Sequence, residues 1–220
     1  MNQKINSEDS LGKFSPLLII SAIMVTAYIS SNVLAVKLVS IFNLTFFDAG
    51  VIIFPLTYII GNILTEIWGF KVAKNVILLA FSCNILFVIL TVIATFMPYP
   101  NYIEHTASSF KTIFTVVPRI LFASLTAFLV GEITNSWFMA KIKKATNSKK
   151  LWLRTMLSSA IGYLLDTVLF VLIAFSGIAP SKDLFTMIIA QYSTKMIIEI
   201  LGGTPVVYGI VKFLKKKGIK

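Results

Sequence analysis

A polar stripe runs through an otherwise apolar stretch of the chain, FPLTYIIGNILTEIWGF at residues 54–70. Tyr58, Asn62 and Glu66 follow one another at four-residue spacing, so a helix would place all three on one face. A phenol, an amide and a carboxylate together can bind a polar solute, and none of them can face lipid cheaply. The stretch therefore predicts a helix whose polar face lies against other helices or a water-filled cavity.

Further ionisable side chains lie within apolar runs. They are the acids Glu132, Asp166 and Glu199 and the bases Lys37, Arg119 and Lys195. A charge at the centre of a membrane helix costs roughly 2.5–3.5 kcal/mol on insertion scales, and such residues often mark substrate or proton pathways. Structural pairing is the alternative, since Lys195 and Glu199 are four apart on one helix, and Glu66 and Glu132 could reach loop lysines or Arg154.

Depth divides these candidates into two groups. Counted at about 1.5 Å per helical residue, Asn32, Arg119 and Asp166 fall in the outer half of their spans and Lys195 falls near the middle. Glu66, Glu132 and Glu199 lie further in, where they would line an exit path or carry protons. The candidate binding residues are therefore Asn32, Tyr58, Asn62, Glu66, Arg119, Glu132, Asp166, Tyr192, Lys195 and Glu199.

The composition is that of a membrane protein. The chain has 220 residues, of which 57% are hydrophobic and only 13% charged, whereas soluble domains have about 25% charged residues. Six apolar runs, near 15–39, 50–68, 72–97, 115–140, 151–177 and 184–214, are each long enough to span a bilayer. The sequence thus predicts an all-α domain of six transmembrane helices over residues 15–214, with a polar tail at 1–14 and a basic tail at 215–220. Gly202, Gly203 and Pro205 predict a break in the last span.

Basic residues indicate the orientation. Most of the 20 lysines and arginines fall in the two tails and in the loops near 71–74 and 141–154, all on one side of six spans. The positive-inside rule then predicts a multi-pass protein of the cytoplasmic membrane with both termini in the cytoplasm. The basic loop KIKKATNSKK, residues 141–150, is expected to contact anionic lipid head groups, so the net charge of +11 does not indicate nucleic-acid binding.

Patterns typical of enzymes are absent from the sequence. It contains no HExxH, GxSxG or Walker loop and no Cys/His metal spacing. His105, the one histidine, is expected to be a solvated residue of an external loop. We therefore expect no catalysis, no cofactor and no metal ion.

Several blocks of sequence resemble the queuosine-precursor transporters, a vitamin-uptake-transporter-like family. The blocks are SNVLAVKL, FDAGVIIFPLTYIIGNILTEIWGFKVAKNVI, RILFASLTAFLVGEITNSWFMAKIK, LWLRTMLSSAIGYLLDTVLFVLIAF and QYSTKMIIEILGGTPVVYGIVKFLK, in that order from about Ser30 to Leu214. The resemblance implies a six-helix importer of 7-deazaguanines such as preQ0, preQ1 or queuine. It also implies a fold like that of the substrate-binding subunits of energy-coupling-factor transporters.

Four functions remain open on the sequence. The first is an importer of a small deazapurine that works alone or as a homo-oligomer, and the second is a binding subunit that needs energising ATPase subunits. A lipid-modifying enzyme and an ion channel are less favoured, because the chain has neither a recognisable nucleophile and base nor a pore-lining motif. Asp166 is the preferred acceptor for the substrate, with Arg119 expected nearby to keep it ionised.

Overall fold

A computed structural model of the protein describes residues 15–41, 44–115, 118–147, 149–177 and 180–218, without the side chains of 38–41, 44–47, 115 and 118–121. The predicted tail at 1–14 lies outside the described residues. The helices are α1 (Pro16–Leu34), α2 (Phe54–Trp68), α3 (Phe70–Thr95), α4 (Glu104–Thr115), α5 (Pro118–Ala145), α6 (Leu151–Phe175), α7 (Ser181–Ile198) and α8 (Thr204–Lys216).

A helical, multi-pass membrane protein is confirmed. In the described part of the chain, five segments are long and apolar enough to cross a membrane: Pro16–Leu34, Ala49–Trp68, Phe70–Thr95, Leu151–Phe175 and Ser181–Lys216. They correspond to five of the six predicted spans. The other predicted span corresponds to α5, which at 28 residues has the length to cross but carries Glu132, Asn135 and Ser136 in its middle.

A short hairpin departs from the predicted first span, which was expected to reach residue 39. α1 ends at Leu34, and strands β1 (Leu38–Ile41) and β2 (Leu44–Asp48) then pair antiparallel. The segment LVSI and the segment LTFFD are rich in β-branched and aromatic residues, which favour strands. A 3₁₀ turn at Ala49–Ile52 leads from the hairpin into α2.

Two predicted loops are partly helical. The basic segment 141–150 was expected to be a loop, but α5 continues to Ala145 because lysine and alanine are strong helix formers. Residues 104–115, expected in an external loop, form α4, and His105 is exposed there as predicted.

The polar-striped helix α2 is the centre of the bundle. Its span is 78% buried, against 22–44% for the other four candidate spans. Tyr58, Asn62 and Glu66 are all buried, as the four-residue spacing predicts. α2 therefore positions its polar face among the other helices and not toward lipid.

Helices α5 and α6 pack closely along small residues. A Cβ at Gly131 would lie 3.0 Å from the carbonyl oxygen of Gly162 and 2.3 Å from Tyr58 Oη. A Cβ at Gly162 would lie 3.0 Å from the carbonyl oxygen of Gly131. The glycines thus allow both backbones and the tyrosine of α2 to meet, as small residues do between membrane helices.

Replacing Gly131 by alanine is expected to destabilise the protein by about 1–3 kcal/mol, because the added methyl group must displace a packed side chain and backbone. Gly209→Ala in α8 is the matched control, since nothing lies within 4 Å of the Cβ position there. Thermal unfolding of the detergent-solubilised variants compares the two. Equal unfolding temperatures would contradict the close packing of α5 against α6.

The last span departs from α-helical geometry where the sequence predicts a break, although the helix continues through this point. α7 passes into a π-helical turn at Glu199–Gly203, and α8 begins at Thr204 with Pro205 in its first turn. Pro205 lacks the N–H that would bond to the preceding turn, and the two glycines lower helix propensity. Turns of this kind occur frequently at functional sites, and this one carries Glu199.

Candidate functional site

A cleft opens where the C-terminal end of α1, the 3₁₀ turn, the start of α2 and parts of α5, α6 and α7 meet. It contains about 350 Å³ of empty space, counted out to its open mouth. Phe54 and Phe170 contribute aromatic rings, and the polar lining includes Asn32, Asp48, Ser124, Asp166, Gln191 and Lys195. The cleft thus combines charged, amide and hydroxyl groups with flat apolar surfaces.

An ion pair joins α6 to α7 in the wall of the cleft. Nζ of Lys195 lies 2.5 Å from Oδ2 of Asp166 and donates to Oγ1 of Thr167 at 3.1 Å. The two charged side chains are only 4% and 3% exposed. The same Nζ lies 4.9 Å from the ring centroid of Phe54, within cation–π range. Each charge compensates for the desolvation of the other, so removing one partner would be costly.

An amide from α1 lies beside this pair. Nδ2 of Asn32 donates to the carbonyl oxygen of Tyr28 at 3.2 Å, and Oγ of Ser124 donates to Oδ1 of Asn32. These bonds fix the amide between α1 and α5. Asn32, Asp166 and Lys195, three of the residues selected from the sequence, therefore meet in one cleft, although Lys195 had been expected at a greater depth.

The turn before α2 brings a second carboxyl group to the cleft. Asp48 is 8% exposed, and burial raises its pKa while the charge of Lys195 opposes the rise. Gly50 allows the turn to reach α1, because a Cβ there would lie 2.3 Å from the carbonyl oxygen of Ser31. Sequence reasoning missed Asp48; its position directly before the polar-striped helix was the available signal.

A second polar layer lies deeper in the bundle. The rings of Tyr58 and Tyr163 pack with centroids 4.2 Å apart. Glu199 accepts hydrogen bonds from the hydroxyls of Tyr163 at 3.1 Å and Ser159 at 3.3 Å. Nδ2 of Asn62 donates to Oγ of Ser159 at 3.0 Å. Three predicted residues, Tyr58, Asn62 and Glu199, are thus gathered in this layer and not in the cleft itself.

Glu132 on α5 belongs to the same layer and is fully buried. Within the part of the chain that the structure describes, neither of its carboxyl oxygens has a hydrogen-bond partner. A Cβ at Gly61 would lie 1.8 Å from Oε1, so the carboxyl group packs directly against the backbone of α2.

A node of four charged residues closes the opposite end of the bundle. Oε2 of Glu66 accepts a hydrogen bond from Nη2 of Arg154 at 2.7 Å, and its Oε1 accepts one from Nζ of Lys215 at 2.9 Å. Lys143 adds a longer ion pair at 3.5 Å and donates to the backbone oxygen of Glu66. This Glu66 node ties α2 to α5, α6 and α8, and it includes the pairing with Arg154 that the sequence had left as an alternative to substrate binding.

The predicted contacts of three other residues are either different in the structure or involve a side chain that the structure does not describe. A local pair of Lys195 with Glu199 is wrong, because α6 offers each side chain a partner at its own level: Asp166 for the lysine and Tyr163 for the glutamate. Tyr192 packs against the apolar core and does not line the cleft. The side chain of Arg119 lies outside the described residues, so its approach to Asp166 stays a prediction.

Taken together, the cleft and the layer beneath it form a candidate polar site inside a multi-pass helical membrane protein, of the kind that a carrier of small polar solutes requires. Residues 48–210 match the family model described as "Putative vitamin uptake transporter". Because the match covers most of the chain, the protein belongs to this family of transporters.

A relative from Bacillus subtilis (strain 168) bears the name "Probable queuosine precursor transporter". It is 28% identical to this chain over 190 residues, which are 86% of this chain and 81% of the relative. The resemblance found in the sequence blocks is thereby confirmed. No solved structure matches the chain.

Proposed function

We propose that this transporter imports 7-deazaguanine precursors of queuosine, such as preQ0, preQ1 or queuine, and binds them in the cleft. The name of the Bacillus subtilis relative supports the substrate class. The observation that carries the proposal is the pair of Asp166 and Lys195, which is buried yet lines the open cleft.

The chemistry of the pair matches the pairing edge of a deazaguanine. That edge presents two adjacent N–H donors and one carbonyl acceptor. A carboxylate such as Asp166 can accept both donors in parallel, and the ammonium group of Lys195 can donate to the carbonyl. Phe54 and Phe170 offer apolar surfaces for the flat ring, and the amides of Asn32 and Gln191 provide further donors and acceptors.

The deeper layer would form the inward path under this proposal. Tyr58, Asn62, Glu132 and Glu199 lie between the cleft and the Glu66 node along their helices, so a released substrate would pass them. In preQ1 the aminomethyl cation would favour an acidic neighbour, which Glu132 or Glu199 could supply. The Glu66 node would then separate substrate from the cytoplasm until the inner end opens.

Ligand binding tests the substrate class. A ligand that binds the folded protein raises its apparent unfolding temperature by mass action. We expect preQ0, preQ1 or queuine to stabilise the detergent-solubilised protein. The matched control is 7-deazaadenine, which keeps the ring but lacks the guanine pairing edge. Equal stabilisation by 7-deazaadenine, or none by any deazaguanine, would overturn the proposal.

Transport by the protein alone tests its mode of action. We expect liposomes that contain only this purified chain to exchange labelled deazaguanine with unlabelled substrate trapped inside. Binding without exchange would favour the alternative, a binding subunit that needs energising ATPase subunits.

We also propose six spans in the cytoplasmic membrane with both termini in the cytoplasm. Supporting this, the basic ends of α5 and α8 lie together at the Glu66 node, through Lys143 and Lys215. Cytoplasmic loops carry such an excess of lysine and arginine.

Cysteine labelling checks this topology in a Cys83→Ala background. Lys4→Cys and Lys216→Cys are expected to resist a membrane-impermeant maleimide in intact cells and to react after the cells are opened. Lys182→Cys, at the exposed start of α7, is the matched control and is expected to react from outside. External labelling of either terminal position would contradict the orientation.

A further inference from the structure

Three acidic side chains converge in the middle of the bundle with a single lysine among them. Glu132 comes from α5, Asp166 from α6 and Glu199 from the π-helical turn, and the last two lie near enough to repel a negative charge on Glu132. In the described residues, Lys195 is the cation that forms an ion pair with any of the three. Full ionisation would therefore leave uncompensated negative charge inside the bundle, where burial strongly disfavours it.

The partners of the three acids differ. Asp166 is neutralised by Lys195 at 2.5 Å, and Glu199 accepts two hydroxyl hydrogen bonds, from Tyr163 and Ser159. Glu132 is 0% exposed and, among the described residues, has neither an ion pair nor a hydrogen bond. A cation or two hydroxyl groups thus support the charged form at two of the acids, whereas the nearest polar group to Glu132 on its own helix is the uncharged amide of Asn135.

The surroundings of Glu132 are polar but not basic. α2 contributes the hydroxyl of Tyr58 and the close backbone at Gly61. α6 contributes Tyr163 and Asp166, the π-helical turn contributes Glu199, and α5 itself contributes Asn135 and Ser136. The polar atoms of Tyr58, Asn135 and Ser136 also lack hydrogen bonds in the described structure. A protonated Glu132 would find acceptors here, whereas an ionised Glu132 would find no cation.

We propose that Glu132 is the site at which a transported proton binds, so that import of the substrate is coupled to proton entry. This proposal rests on the import function proposed above. A proton from the outside binds a carboxyl oxygen of Glu132 when substrate occupies the cleft. The same proton is released to water at the cytoplasmic side after the inner end opens, and no other reactant is consumed.

Packing favours a proton over a sodium ion. A methyl group at Gly61 would lie 1.8 Å from Oε1 of Glu132, and Glu132 does not line the cleft. A sodium ion needs several oxygen ligands around a space of its own, which this contact with α2 does not leave. A proton adds no volume to a carboxyl group, so it fits the observed packing.

The test compares variants of the full-length protein in liposomes that lack sodium. Exchange of labelled against unlabelled deazaguanine needs no driving force, whereas accumulation above equilibrium does. We expect an acidic outside to drive accumulation by the unmodified protein. We also expect a pH-sensitive dye trapped inside the liposomes to report that their interior becomes more acidic. Glu132→Gln is expected to keep exchange of preQ0, which has no aminomethyl cation to bind an acid, and to lose accumulation and acidification. Glu104→Gln, an exposed acid at the start of α4, is the matched control and is expected to behave as the unmodified protein.

A second variant distinguishes the loss of a proton-binding group from damage to the fold. Glu132→Asp keeps a titratable carboxyl group and is expected to retain proton-driven accumulation, so equal behaviour of Glu132→Gln and Glu132→Asp would overturn the proposal. Accumulation by the unmodified protein on a sodium gradient at equal pH would also overturn it, as would exchange without accumulation when the outside is acidic. Complete absence of exchange by the unmodified protein would instead remove the proposed import function, and the proton site with it.

Discussion

Glu66→Gln is expected to destabilise the protein by about 3–5 kcal/mol, because it leaves a buried guanidinium without its carboxylate. The side chain of Arg154 is 1% exposed and its Nη2 lies 2.7 Å from Oε2 of Glu66. We expect the variant to reach the membrane, since insertion depends on the apolar spans, but to take up less substrate because the inner end of the bundle is less well held. Thermal unfolding, membrane fractionation and uptake measure the three effects.

Lys215→Gln is the matched control within the same node. Lys215 also bonds to the carboxylate of Glu66, at 2.9 Å, but its side chain is 54% exposed. An exposed partner contributes about 1 kcal/mol or less, so this variant is expected to unfold near the temperature of the unmodified protein. Similar losses in both variants would show that burial of Arg154 does not determine the strength of the node. Full uptake by Glu66→Gln would leave Glu66 a purely structural role.

Features that depend on one helix at a time were predictable from the sequence. The four-residue spacing of Tyr58, Asn62 and Glu66 gave one buried face on α2, because helical geometry alone decides which residues share a face. The departure from α-helical geometry near Gly202 followed from backbone chemistry in the same way. The burial of these polar residues was also predictable, because the composition indicates a membrane protein and polar side chains in a membrane helix avoid lipid.

Features that depend on which helices meet were not predictable. Lys195 and Glu199 satisfy the spacing of a local pair, yet each side chain has a partner on α6, since that helix presents Asp166 and Tyr163 at matching levels. Asp48 enters the cleft only because a hairpin and a 3₁₀ turn place it there. Spacing along one helix contains no information about such contacts, and the strand-forming segments before α2 lay at the end of one predicted span and in the loop that follows it.

Asp166→Asn is expected to weaken deazaguanine binding about 5- to 150-fold. The change preserves the shape of the side chain but replaces one acceptor oxygen by an amide donor. One N–H of the substrate then loses its acceptor inside the cleft, at a cost of roughly 1–3 kcal/mol, which corresponds to a loss of affinity of about 5- to 150-fold. Ligand-induced stabilisation and equilibrium binding to the purified protein measure the effect. Asp183→Asn, an exposed acid near the start of α7, is the matched control and is expected to bind normally.

The ion pair itself offers a competing explanation, which a double variant can separate. If Asp166 only neutralises Lys195, then Asp166→Asn leaves a buried ammonium group unpaired and the loss of binding reflects damage to the fold. Removing both charges with Asp166→Asn and Lys195→Gln would in that case restore stability and uptake together. If Asp166 instead accepts the donors of the substrate, the double variant is expected to regain stability but not binding, because the cleft still lacks a carboxylate. Recovery of uptake in the double variant would therefore exclude Asp166 as the residue that recognises the substrate.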